Sequence, residues 1–97
     1  MSTASTHVLD AARGLPAAGM TVALGTQQAV TDDDGRVTWG EVTPGRHVLT
    51  FAVGDWFASQ DRETFFGQVV LDVVLGADHT HVALLLSPFA YTTYRGS

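Results

Sequence analysis

The chain has 97 residues, 45% of them hydrophobic and 15% charged, which is material for one domain around one core. Its net charge of −5, with 10 acidic groups against 5 arginines and no lysine, offers no clustered basic patch for a nucleic-acid backbone. The lack of cysteine excludes disulfides, thiolate metal sites and cysteine nucleophiles, and the apolar stretches are too short to span a bilayer.

A chain this small buries only about 60–65% of its unfolded surface, so self-association is expected to help it, with some apolar surface facing another subunit. The opening Met1-Ser2-Thr3-Ala4-Ser5-Thr6 has neither a basic nor an apolar leader region, and the expected location is cytoplasmic. The hydrophobic period along the chain is two. Short β-rich runs at 6–11, 20–24, 28–31, 36–39, 47–53, 66–75, 79–86 and 90–95 alternate with turn clusters such as Arg13-Gly14-Leu15-Pro16, Asp34-Gly35, Thr43-Pro44-Gly45 and Gly76-Ala77-Asp78. One short helix fits 54–60. Seven or eight strands at this spacing predict an all-β sandwich of two antiparallel sheets in a single domain, 1–97.

Chemistry-bearing side chains gather at the two ends. In an extended chain alternate residues share a face, so His79, His81, Ala83 and Leu85 point one way and Thr80, Val82, Leu84 and Leu86 the other. Ser87-Pro88 interrupts the ladder, and the last strand carries the polar end, Tyr94-Arg95-Gly96-Ser97, back beside the histidines. Near the start, His7 shares its face with Leu9 while Val8 and Asp10 face away. Arg36 follows the Asp34-Gly35 turn signal.

Three segments in order, Thr6-His7-Val8-Leu9-Asp10, Thr31-Asp32-Asp33-Asp34-Gly35-Arg36, and His81 to Leu84-Leu85-Leu86-Ser87-Pro88 with the terminal Tyr94-Arg95-Gly96-Ser97, resemble the motifs of the 5-hydroxyisourate hydrolases, the enzyme branch of the transthyretin family. The resemblance covers nearly the whole chain. It implies the transthyretin-like, or prealbumin-like, sandwich: two four-stranded sheets, a short helix after the fifth strand, and a homotetramer whose active sites lie where dimers meet. It further implies hydrolysis of 5-hydroxyisourate to 2-oxo-4-hydroxy-4-carboxy-5-ureidoimidazoline in urate degradation, with no cofactor and no metal. By the same resemblance His7, Arg36 and His81 are catalytic, and Tyr94 and Ser97 contact the small-molecule substrate with His7 and Arg36. Transthyretin itself, a carrier, has lysine, glutamate and threonine at the places of His7, Arg36 and His81. His79 is a familiar family residue with no role carried over. The chain departs from the pattern at Ala83 for proline, Asp32 for asparagine, Phe89-Ala90-Tyr91-Thr92 in the hairpin, and Phe65-Phe66-Gly67 before the sixth strand.

The chemistry suits these residue types. Opening a cyclic amide with water needs a base for the water, a cation for the carbonyl oxygen as it becomes tetrahedral, and a proton for the leaving nitrogen. Imidazoles titrating near neutrality and a permanently charged guanidinium meet those needs. Ser97, beside its own carboxylate, reads as a positioning residue rather than a nucleophile.

Rival readings exist. His79 and His81 with His7 could form a zinc set, and Asp32-x-Asp34-Gly35 with Glu41 approaches a calcium loop, although Val30 stands at that loop's first ligand position and the flanks read as strands. A carrier using an intersubunit channel without turnover and a structural domain on the same fold are the other functions considered. Arg13, Arg46 and Arg62 belong to no motif and are read as surface charges.

Overall fold

The computed structural model describes residues 2–96. The first strand, β1 (Ser2–Asp10), begins earlier than the pattern predicts, because its Ser/Thr-rich start resembles coil. Its even-numbered side chains are buried, and the polar ones satisfy themselves on backbone carbonyls: Ser2 Oγ donates to Val42 O at 3.0 Å and Thr6 Oγ1 to Val82 O at 2.7 Å. There follow β2 (Leu15–Pro16), β3 (Thr21–Leu24), β4 (Gln27–Val30), β5 (Arg36–Val42), β6 (Gly45–Phe51), α1 (Val53–Ala58), β7 (Val69–Leu75), β8 (His79–Ser87) and β9 (Ala90–Gly96). All eight expected runs are strands, α1 occupies the expected helical segment, and the short β2 is additional.

Two sheets form the sandwich. One has the order β4-β3-β6-β7, and the other runs β2-β1-β8-β9, with β5 also paired to β1. Among the described residues every strand pairing is antiparallel except one. Strands β1 and β8 run parallel, in a register from Thr3 opposite His79 to Asp10 opposite Leu86. A parallel neighbour requires a long crossover, and here the intervening chain first builds the whole second sheet. That crossover sets the two ends of the polypeptide side by side.

The run expected at 66–75 becomes strand only at Val69. The residues before it bridge to the β8–β9 turn instead: Phe65 N–H donates to Pro88 O at 2.9 Å, and Phe66 meets Tyr91 edge-on with centroids 5.1 Å apart. Between the sheets the core holds Val8, Met20, Val22, Phe51, Phe57, Leu84 and Leu86, with Trp39 and Trp56 at its margins.

Arg62 differs from the expected surface charge. Its side chain is only 13% exposed and binds the buried Asp10 carboxylate at 2.7 Å, with its guanidinium over the Phe57 ring. Arg46, by contrast, is an exposed partner of Asp72. No helix among the described residues is long and apolar enough to cross a membrane.

Candidate active site

The parallel register of β1 on β8 aligns odd-numbered residues with odd-numbered residues, so the outward faces of both strands form one surface. Across four strands a single row reads Arg36, His7, Ala83, Tyr94, from β5 through β1 and β8 to β9. The adjacent row reads Thr38, Ser5, His81, Gly96. His7 and His81 are thus diagonal neighbours, with backbones about 7–8 Å apart by sheet geometry. Three residues expected to act together, His7, Arg36 and His81, lie on one face within two rows, and Tyr94 flanks them. Ser97 lies outside the described residues.

Each side chain is placed by a local device. Arg36 is launched by the turn before it: the Asp32 carboxylate accepts the N–H groups of Asp34 and Arg36, both at 2.9 Å, while Asp32 N–H donates to Arg36 O at 3.0 Å. Aspartate therefore performs the turn-closing task there, and no group of three or more His, Cys, Asp or Glu side chains among the described residues is arranged to hold a metal ion. Ala83, 5% exposed, floors the space between His7, His81 and Tyr94 with a methyl group.

His81 is half-buried, and its Nδ1 is bound to Ser5 Oγ at 2.7 Å. Its Nε2 has no hydrogen-bond partner among the described residues. Burial, then the electrostatic influence of the neighbouring His7, Arg36 and His79, pushes its pKa below the ordinary histidine value. The ring is accordingly neutral at pH 7, with Nε2 able to accept a proton once Nδ1 carries the hydrogen. Arg36 and Tyr94 are exposed and His7 is half-buried, so a single chain presents these groups on an open sheet face.

Two neighbours escaped the sequence reading. Gly96 lies directly under His81: a Cβ built there would sit 2.8 Å from His81 Cδ2, so only glycine lets the imidazole lie flat against β9. Ser5 reaches both His79 and His81. Its spacing of two from His7 puts it on the same face, a signal present in the sequence, whereas its partners depend on the parallel register. The open groove between β7 and β9, about 380 Å³ and lined by Val70, Val74, Val82, Tyr94 and Arg95, has no histidine in its lining.

Comparisons place this geometry among known proteins. The HIUase/Transthyretin family matches residues 4–96. A 5-hydroxyisourate hydrolase of Deinococcus radiodurans is 40% identical over 96% of this chain and 94% of its own length. Among solved structures, a Klebsiella pneumoniae 5-hydroxyisourate hydrolase superposes with a TM-score of 0.94 at 42% identity, covering 100% of both chains. Sea bream transthyretin in complex with thyroxine gives a TM-score of 0.84 at 25% identity, covering 96% of this chain and 93% of that one. With a family match spanning 93 of its residues (4 to 96) and relatives that carry the hydrolase name over nearly full length, the chain belongs to the HIUase/Transthyretin family, on its hydrolase side.

Proposed function

We propose that the protein hydrolyses 5-hydroxyisourate, opening its lactam to 2-oxo-4-hydroxy-4-carboxy-5-ureidoimidazoline, with water as the only co-reactant and no cofactor. Relatives named for this reaction support the substrate. The observation that carries the mechanism is the meeting of His7, Arg36 and His81, from three strands, on one face. His81 is the better base of the two histidines, because its depressed pKa keeps it neutral, and with Nδ1 held by Ser5 its Nε2 has no hydrogen-bond partner among the described residues. It takes a proton from water as the water attacks the carbonyl carbon. The Arg36 guanidinium stabilises the negative oxygen that develops, and His7, on the strand between Arg36 and His81, orients the water and the ring. The proton then passes to the leaving nitrogen, and the C–N bond breaks. Tyr94 bounds the substrate from the β9 side, and Ser97 is assigned a substrate contact by the family resemblance alone.

An open face suits ring binding only if something excludes water, and the same chain carries exposed Phe65, Val70, Val74 and Phe89. We assign it to a homotetramer in which a facing subunit covers the histidine row and closes the pocket.

The test follows the ultraviolet absorbance of freshly generated 5-hydroxyisourate. Wild type should accelerate its decay, and His7→Asn, Arg36→Glu and His81→Ala should each lower kcat by about 10²-fold, the lower range for losing an acid–base or electrostatic group. Binding without turnover would replace this reading with a carrier. Gly96→Ala should act through His81 alone. Its added methyl displaces the imidazole, and a misplacement near 1 Å is expected to lower kcat by about 10–10²-fold, with the melting temperature held within a few degrees.

A further inference from the structure

Beyond the groups that touch substrate, the outer face carries a continuous chain of hydrogen bonds. Thr3 Oγ1 lies 2.6 Å from His79 Nδ1, His79 Nε2 lies 2.8 Å from Ser5 Oγ, and Ser5 Oγ lies 2.7 Å from His81 Nδ1. The strand register builds it, since Thr3 sits opposite His79 and Ser5 opposite His81 across the parallel pair. We propose that Ser5 and His79 form a proton relay behind His81, converting it from base to acid within one turnover.

A serine hydroxyl has one hydrogen and here serves two imidazole nitrogens. With both rings neutral, one ring must donate to Ser5 and the other must accept from it. In one arrangement His81 Nδ1–H donates to Ser5, Ser5 O–H donates to His79 Nε2, and His79 Nδ1–H donates to Thr3. This leaves Nε2 of His81 bare, which is the form a base requires. In the opposite arrangement every donor is reversed, and Nε2 of His81 carries the hydrogen, which is the form an acid requires.

Hydrolysis needs those two forms in succession. As water attacks, its proton goes to His81 Nε2, the Nδ1 proton of His81 moves to Ser5 Oγ, and the Ser5 proton moves to His79 Nε2. His81 ends neutral with Nε2–H, and the positive charge rests on His79. His79 is exposed, whereas His81 is half-buried and faces the charges of His7 and Arg36, so water stabilises the cation better at His79. When the C–N bond breaks, His81 Nε2 gives its proton to the leaving nitrogen. The other two protons then return, from His79 to Ser5 and from Ser5 to His81. One proton has passed from water to nitrogen, and nothing else is gained or lost. The groups facing His81 are Ser5 and His7 from β1, Arg36 from β5, His79 on β8 and Gly96 from β9.

The relay rests on the hydrolase reading, with His81 as base, so the experiment separates the two. Ser5→Ala, Ser5→Thr, His79→Leu and His81→Ala are assayed on 5-hydroxyisourate, each with rates measured in mixtures of H2O and D2O. Ser5→Ala and His79→Leu should lower kcat by about 10–10²-fold with KM within about twofold. Ser5→Thr, which keeps the hydroxyl, should recover kcat to within about threefold of wild type. The dependence of kcat on deuterium fraction should be bowed in wild type, where several protons move together, and straight in Ser5→Ala. An inactive His81→Ala beside a Ser5→Ala within twofold of wild type would overturn the relay and leave the hydrolase standing. A Ser5→Ala that slows turnover with the bowed dependence intact would also overturn it, since Ser5 would then be only a support for the ring. A fully active His81→Ala would overturn the underlying reading itself.

Discussion

Gly35→Ala is expected to lower the melting temperature by roughly 15–30 °C, the consequence of losing about 4 kcal/mol in a domain of this size. Gly35 has φ of 76°, a conformation that costs an alanine about 1–2 kcal/mol. The added Cβ would also sit 2.3 Å from Val8 O, 3.2 Å from Ala17 N and 3.3 Å from Pro16 Cβ. Two of those atoms are backbone, and Val8 is fully buried, so no side chain can swing aside. Val8 O accepts the Ala17 N–H at 2.9 Å, and Val8 N–H donates to Gly35 O at 2.8 Å. Relieving the clash stretches both bonds at the centre of β1, and each buried group left unpaired costs about 1–3 kcal/mol. Arg36 follows directly, so whatever folds should also have lost its guanidinium's place. Gly40→Ala is the control: nothing lies within 4 Å of its Cβ position, and its melting temperature should barely move. Melts compared at equal protein concentration decide the matter, and a fall under about 5 °C for Gly35→Ala would refute the steric argument.

The period-two runs made strands such as β1, β3 and β8 legible because one face of each is buried and the other is not. β1 and β8 alternate buried and half-buried positions with few exceptions. The bounds were less legible where the side chains do something other than alternate. Ser2, Thr6 and Thr80 are buried although polar, and composition cannot reveal that the hydroxyls of Ser2 and Thr6 return to backbone carbonyls. Phe66 looks like a strand residue but packs on Tyr91 of the β8–β9 hairpin, while the Phe65 N–H bonds Pro88 O, so β7 starts late. The parallel pairing of β1 with β8 leaves no local mark at all. It follows from the crossover, which is a property of the whole topology.

For the site, the faces of His7 and His81 followed from alternation, and their convergence with Arg36 came from the family resemblance. What the sequence could not express is register. His81 opposite Ser5 and Gly96, rather than one residue along, decides which hydroxyl binds its ring and why the position beneath it must be glycine. Arg62 was misread for a related reason. Nothing near it in sequence announces that Asp10, 52 positions away, waits buried at the end of β1.

Arg62→Leu is expected to destabilise the protein at pH 7 by about 3–5 kcal/mol, because it strands a carboxylate in the interior. In the wild type, burial alone would raise the Asp10 pKa. The Arg62 hydrogen bonds and charge, together with the N–H groups of Arg13 and Ala12, outweigh it and hold the group below the ordinary aspartate value. A folded pKa below the unfolded value of about 3.9 means that this group's stabilisation is full above about pH 4 and fades as pH falls through the folded pKa. Removing Arg62 leaves only the backbone donors against desolvation, so the Asp10 pKa should rise. Where it rises above the unfolded value, acidification neutralises the stranded carboxylate and relieves the variant. Urea unfolding at pH 7 and at successive steps down to pH 3 should therefore show the gap between wild type and Arg62→Leu narrowing toward acid. Asp10→Asn in the same background should recover most of the loss at pH 7, since it removes the buried charge and keeps an oxygen to accept the Arg13 N–H, now at 3.1 Å. A gap that is constant with pH would mean that Arg62 acts by packing over Phe57 and Trp56 rather than through its charge.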